Sequence, residues 1–494
     1  MTLPTAPRHG QQVPDTVFGY VSARSQGEVP MHEAAGFESA RPFQADGDTR
    51  DRAKEYARAA GLSVTAESRL GFTVSGTPTA YEQLTGGRVE TYEERQRVEM
   101  NQVRSVTHLD IVGERQPDTR GLGAVPGEDA IEAVALEQPR IPTRVLPVAA
   151  TPPRVDRFHL AVPDDVARLL GATKAHDHRE TGRGVQVAMV DTGQFQHPFF
   201  AANSCRIAPT VVLVPGTDPR EDPVGHGTGE SANIFAVAPG ATLHPYRASD
   251  QQGHLTAAVA AFVRAKSDHP QVLTNSWSGD IGQFPPVGPP AQIDAMWAME
   301  ILDAVEQGIV VVFSAGNGQF SIEPQVPGVI SAGGVFAGPD GKLQASNYAS
   351  GYISPWIRDV VVPKVCGLVG MLPRAQYLLL PVPPGCEIDV AESRPSPDDT
   401  ETDSTVDNDG WAMFSGTSAA APQLAGAVAV LLGARPGLTP AQVTEAFTRT
   451  ATDITTGTCH PRFGNQARPG PDEATGAGLV NVSAALDFVL TQFP

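Results

Sequence analysis

The chain has 494 residues, 41% of them hydrophobic, enough to bury the core of one large domain with a smaller companion. A formal charge of -19 would repel phosphate, which argues against a mainly nucleic-acid or anionic-membrane partner. The N-terminus lacks the apolar stretch of a secretory signal and no segment reads as a membrane span, so a soluble chain is expected, cytoplasmic rather than secreted.

Residues 1–45 are rich in Pro, Gly and polar groups and read as an extended lead-in, with one strand at "TVFGYVSA", Thr16 to Ala23. A small α+β domain follows over residues 46–115. "DRAKEYARAAG" has helical spacing, "LSVTAES" and "GFTVSGT" alternate as strands, "PTAYEQLTGG" is a short helix, and "RVETYEE" is a returning strand. That order is a split βαβ-like, ferredoxin-like unit. Residues 116–155, rich in Pro, Gly, Arg and Glu, read as a linker.

Over residues 156–494 long apolar strands alternate with helices. "GVQVAMVDTG" and "IVVVFSAGN" are nearly continuous apolar strands, whereas "HLTAAVAAFVRAKSDH" and "QIDAMWAMEILDAVEQG" are helices. Such alternation predicts an α/β domain whose mostly parallel sheet is covered on both faces, with functional groups at the carboxyl ends of the strands. Val362 to Asp389 reads as a structured insertion, and the acidic run "PSPDDTETDSTVDNDG" after it as a solvated surface loop. Cys205, Cys366, Cys386 and Cys459 show no CxxC pair. They are buried thiols or, for Cys366 and Cys386, a loop-closing disulfide.

Polar residues sit where that edge rule expects them. Asp191 ends a strand in "VAMVDTG", His226 lies in "DPVGHGTGES", and Asn317 ends a strand in "VVFSAGNG". In "MFSGTSAAAPQLAGAVAVLLG", Met413 to Gly433, Ser418 opens an apolar helix whose first turn is expected to hold Pro422. A serine hydroxyl needs an imidazole to take its proton, a carboxylate to orient that imidazole, and fixed donors for the oxyanion. His226, Asp191, and Asn317 with the Ser418 N–H could fill these roles. Glu230, one turn beyond His226, reads as part of a solvated acidic face, with a cleft-facing position as the alternative, and His197 as structural.

The order of "VDTG", "GHGT" and "GTSAAAP", with "SAGNG" and the terminal "GAGLVNVSAAL", resembles the subtilisin-like serine proteases from about Val185 to Ala485. The resemblance implies a subtilisin-like three-layer sandwich and an endopeptidase acting through an acyl-enzyme. It implies Asp191, His226 and Ser418 as triad, Asn317 as oxyanion donor, and Ser415 and Thr417 as support. "SWSG" corresponds to the family's substrate-lining stretch, so Ser276, Trp277, Ser278 and Gly279 would bind substrate backbone, with Ser314, Ala315 and Gly316 beside the pocket.

Residues 46–115 are similar to the inhibitory prodomains of the wider subtilisin and sedolisin clan. This implies a zymogen whose own N-terminal domain is an intramolecular inhibitor, with a permanent accessory domain as the alternative. Peptide or protein is the implied substrate, with no nucleic-acid or membrane partner. "HGTGESANIFAVAPGA" departs from the family's longer calcium-binding loop, so no cofactor is expected to be required, no metal ligands are assigned, and that calcium site is expected to be missing. Two other functions remain open: a dedicated processing protease for one precursor, or a covered, non-catalytic scaffold.

Overall fold

Alternation builds the smaller unit. Val17, Val21 and Ala23 are buried along one face of the strand Val17–Ala23, and its register sets Val21 opposite both Phe72 and Val134. The computed structural model describes residues 13–27, 29–33, 40–99, 102–113, 121–138, 148–373, 375–395 and 401–493. Two compact units divide the chain, residues 1–146 and 147–494.

In the first unit an antiparallel sheet runs in the order Ser63–Glu67, Gly71–Gly76, Val17–Ala23, Ile131–Leu136, Leu122–Gly123. Helices Gly47–Ala59 and Pro78–Thr85 bury Ala53, Ala57, Tyr81 and Leu84 in the same core. The first four strands with the two helices have the ferredoxin-like order, but not with the strands expected. Arg88–Glu99 pairs with Gln102–Val112 in a separate hairpin, and the fourth strand is Ile131–Leu136, inside the stretch read as a linker. "RVETYEE" carries few apolar residues, whereas "IEAVAL" buries Ile131, Val134 and Leu136. The first strand likewise lies at the centre of this sheet, so residues 13–23 belong to the unit rather than to a lead-in.

The second unit is built on a nine-stranded sheet. Its order is Arg206–Ile207, Thr242–Arg247, Gln186–Asp191, Val272–Asn275, Val310–Ser314, Ile330–Ala337 and Leu343–Ala345, with Val211–Val212 beside Thr242–Arg247 and Val365–Leu368 beside Ile330–Ala337. Every pairing is parallel except that of Leu343–Ala345. Val187 and Met189 enter the core on one face and Ala188 and Val190 the core on the other, the period-two pattern of a sheet covered on both sides. This is the mostly parallel, three-layer arrangement expected.

The strand Val365–Leu368 lies in the main sheet, so the segment read as an insertion is partly core. Leu378–Pro381 joins Trp411–Phe414 and Leu160–Ala161 in a three-stranded sheet. The acidic run is less solvated than its composition suggests. Asp403 is fully buried and accepts bonds from the Thr405 amide and hydroxyl and the Met413 amide, while residues 396–400 lie outside the described residues. All four cysteines are free thiols, so the Cys366 to Cys386 bridge is not formed.

Thr417–Ala434 is the central helix, packed on five sheet strands and on the helix His226–Val237. It is long and apolar enough to cross a membrane by length and composition, yet 83% of it is buried inside the fold, so its apolarity is accounted for by the core.

Candidate active site

Asp191 ends Gln186–Asp191, Ser276 follows Val272–Asn275, and Asn317 lies three residues past Val310–Ser314. These strands are neighbours in the sheet, and their carboxyl ends bring the three segments together at one edge. Strand 186–191 pairs on one side with 242–247 and on the other with 272–275, so the chain reverses its direction of travel across the sheet there. The start of Thr417–Ala434 meets the same edge through Ser276 and Asn317.

His226 opens its helix behind Gly225, which has φ +89° and no room for a side chain, since a Cβ would lie 2.4 Å from Cys386 Sγ. Asp222 fixes this entrance. Its carboxylate accepts bonds from the Thr192 hydroxyl, the Gly225 amide, and the Thr228 amide and hydroxyl, at 2.7 to 3.0 Å. Thr192 Oγ1 accepts in turn from the Gly227 amide at 3.0 Å. The helix N-terminus is thereby tied to the residue beside Asp191.

His226 Nδ1 lies 2.7 Å from Asp191 Oδ1. With Asp191 ionised, Nδ1 carries the proton and donates it, leaving the Nε2 lone pair as base. Burial pulls the imidazole toward neutrality, but the charge and hydrogen bond of Asp191 outweigh it, with Glu230 and Asp222 adding, and the net direction is up, to about 9. Glu230 is not on a solvated face. It is fully buried, with Oε1 3.8 Å from His226 Nε2.

Ser418 is the second residue of its helix, where the fold supplies no intrahelical acceptor for its N–H. Its Oγ donates to the Ser276 carbonyl at 3.1 Å, and its own carbonyl accepts from Ser276 Oγ at 2.8 Å. Pro422 explains the second bond. It lies in the second turn rather than the first, four residues past Ser418, so the Ser418 carbonyl has no helical N–H to accept and takes the Ser276 hydroxyl instead.

Thr417 and Ser415 are both committed to support. Asn317 Oδ1 accepts from the Thr417 amide and hydroxyl, and Thr417 Oγ1 accepts from the Gly316 amide at 3.1 Å. Ser415 Oγ accepts from the Gly370 amide, donates to the Ala375 carbonyl, and meets the Tyr348 hydroxyl at 3.0 Å.

The residues assigned to substrate divide. Ser278 and Gly279 are accessible at the edge and Ser276 is held by Ser418, but the Trp277 indole donates to the Val190 carbonyl and stacks on Trp297, facing the core rather than a rim. Ser314 and Ala315 are buried, and Gly316 has φ +103°. Two supporting residues escaped sequence reading. Asp222 carried the weak signal of an acid shortly before a glycine-flanked His. Arg462 carried none, yet it binds Asp280, the Gly318 carbonyl and the Gly282 carbonyl, joining the segments after two strands from 144 residues beyond Gly318. His197 is buried, caps Pro198–Ala202 and packs edge-on against Trp411, a structural role.

Among the described residues no group of three or more His, Cys, Asp and Glu could hold a metal. The run after His226 is one uninterrupted helix to Val237, and Gly229 is required there, because a Cβ would meet the Phe414 ring at 2.4 Å.

An imidazole oriented by a carboxylate, at the sheet edge that the start of a serine-bearing helix also meets, is equipped for nucleophilic acyl transfer. The family model of the subtilases matches residues 182–478, and the chain belongs to this family of serine proteases. It is 24% identical over 340 residues to subtilisin Savinase of Lederbergia lenta, covering 66% of this chain and 98% of that one. To subtilisin NAT of Bacillus subtilis subsp. natto it is 26% identical over 328 residues, covering 64% and 68%. The solved serine protease of Aeromonas sobria shares the fold, with TM-score 0.52, 18% identity and 71% of each chain covered.

Proposed function

We propose that this subtilase is an endopeptidase using Ser418 as nucleophile, His226 as general base and Asp191 as the carboxylate that orients it, made as a zymogen inhibited by its own N-terminal unit. The observation that carries the reading is the 2.7 Å Asp191 to His226 Nδ1 contact on the edge where the serine helix begins. Ser418 Oγ turns from the Ser276 carbonyl to His226 Nε2, gives up its proton, and attacks the scissile carbonyl carbon. Asn317 Nδ2 and the Ser418 N–H hold the oxyanion. His226 then passes the proton to the leaving amine, and water repeats the sequence on the acyl-enzyme. None of these steps calls for a cofactor.

The ferredoxin-like order of the first unit supports the prodomain reading drawn from the sequence resemblance. The test is fluorophosphonate labelling with intact mass, beside Ser418→Ala. Labelling of wild type alone, with loss of an N-terminal fragment, is expected. A full-length chain that stays unlabelled even after limited proteolysis would favour the scaffold reading.

A further inference from the structure

Glu230 is a buried carboxyl that the proposed chemistry leaves unused. It has no exposed surface, and its Oε1 makes no hydrogen bond. That oxygen faces His226 Nε2 at 3.8 Å, an ion-pair distance rather than a hydrogen bond, on the nitrogen that must accept the serine proton. The imidazole therefore stands between two carboxyls, Asp191 at Nδ1 and Glu230 at Nε2.

The other Glu230 oxygen is fixed. Oε2 accepts from Asn233 Nδ2 at 2.9 Å, Asn233 Oδ1 accepts from Gln423 Nε2 at 3.2 Å, and Gln423 is bonded to both the amide and the carbonyl of Leu368. Glu230, Asn233 and Gln423 are all fully buried, and Gln423 lies on the helix that bears Ser418. This chain holds the carboxyl against rotation away from His226. An isolated buried carboxylate is costly, so the group retains a proton unless a cation faces it.

We propose that Glu230 is a positioning residue for His226: the two share one proton across Oε1 and Nε2 in the resting enzyme, and loss of that proton frees the imidazole to accept the Ser418 proton. The inference rests on the assignment of His226 as base. With the proton on Glu230, its O–H closes the 3.8 Å gap to hydrogen-bond the Nε2 lone pair. With the proton on His226, an imidazolium faces a carboxylate. In both forms Nε2 is unavailable, which accords with the Ser418 hydroxyl resting on the Ser276 carbonyl. Release of the proton to solvent leaves a carboxylate and a neutral imidazole, and Nε2 can then take the hydroxyl.

The charged groups acting on Glu230 are His226 from its own helix and Asp191 from the adjoining strand; burial is the largest influence and pushes the carboxyl up. His226 feels Asp191, Glu230 and Asp222. Tyr348, a loop residue bonded to Ser415, feels the charge of Glu230, and the serine helix contributes the uncharged Gln423. The strand Leu378–Pro381 and the helix Asp164–Leu169, also packed on the histidine helix, add no charge acting on Glu230.

The experiment is a pH titration of the His226 ring nitrogens by 15N NMR in the full chain carrying Ser418→Ala, with and without Glu230→Gln. His226 should titrate above the ordinary histidine range, and Glu230→Gln should lower its midpoint by about 1–3 pH units, the effect of removing one opposite charge at this distance. A midpoint near the ordinary value of ~6.5 before any change at Glu230, or one that Glu230→Gln leaves in place, overturns the proposal. The first of these outcomes needs no variant at Glu230 and so does not depend on how that variant folds. Fluorophosphonate labelling of Ser418 across the same pH range separates the two readings. A shifted titration with no labelling at any pH, even after limited proteolysis, would refute the protease assignment and leave the shared proton standing.

Discussion

Asn317 Oδ1 accepts both the amide and the hydroxyl of Thr417, at 2.9 and 3.0 Å. The side-chain oxygen is thereby committed to the fold, and Nδ2 is the end of the amide left for a ligand. Removal of one oxyanion donor costs about 10²–10³ in turnover. Asn317→Ala should show that loss in kcat with little change in KM, measured on a chromogenic peptide. Thr417→Val, which removes one bond to Asn317 and one from Gly316, should cost up to about tenfold.

Asp222 holds the histidine helix in place by four hydrogen bonds from three residues. Asp222→Ala leaves those donors buried without an acceptor, so stability should fall by about 3 kcal/mol or more, read from denaturant midpoints. Urea unfolding that does not distinguish the two chains would remove this role.

Stability should also decline from mildly acid to alkaline pH. Burial pushes the Glu230 carboxyl up, and against burial Asp191 pushes the His226 imidazole up, so the folded chain still holds the proton the two share after the unfolded chain has lost it. That contribution is present below the unfolded value and is lost as pH rises through the folded one. Thermal melts of Ser418→Ala should drop across this range, and Glu230→Leu should flatten the part due to the carboxyl.

A chelator gives a separate check. The helix from His226 runs unbroken to Val237, so no loop follows the histidine over that span. Excess EDTA should leave the melting temperature unaltered; a downward shift restored by calcium would reveal a bound ion that stabilises the fold.

Asp191, His226, Asn317 and Ser418 were legible because each sits in a short glycine-flanked motif at a strand end or helix start, where local sequence and position in the fold coincide. Glu230 was misread because helical spacing alone does not tell a cleft-facing position from a solvated one; that depends on the serine helix packed against it. Trp277 failed for a similar reason, its indole being drawn inward by Trp297 and the Val190 carbonyl. The fourth strand of the smaller unit was missed because its partner is more than a hundred residues earlier, and polar flanks made the segment look like a connector. Arg462 has no local signature at all, since its partners lie 144 to 182 residues away.

The buried knot of Thr192, Asp222 and Thr228 also separates spacing from sequence length. Asp191 and His226 are 35 residues apart along the chain, yet their alignment is set at the two ends of that span, where Thr192 meets Asp222 and Gly227. The exposed turn at Pro215 and Gly216 lies between those ends. A reporter peptide spliced there lengthens a tether whose ends are already pinned, and closure of a longer loop costs only about 0.6 kcal/mol for each doubling. That turn is a site at which the enzyme could carry a label or affinity handle without moving its reacting groups.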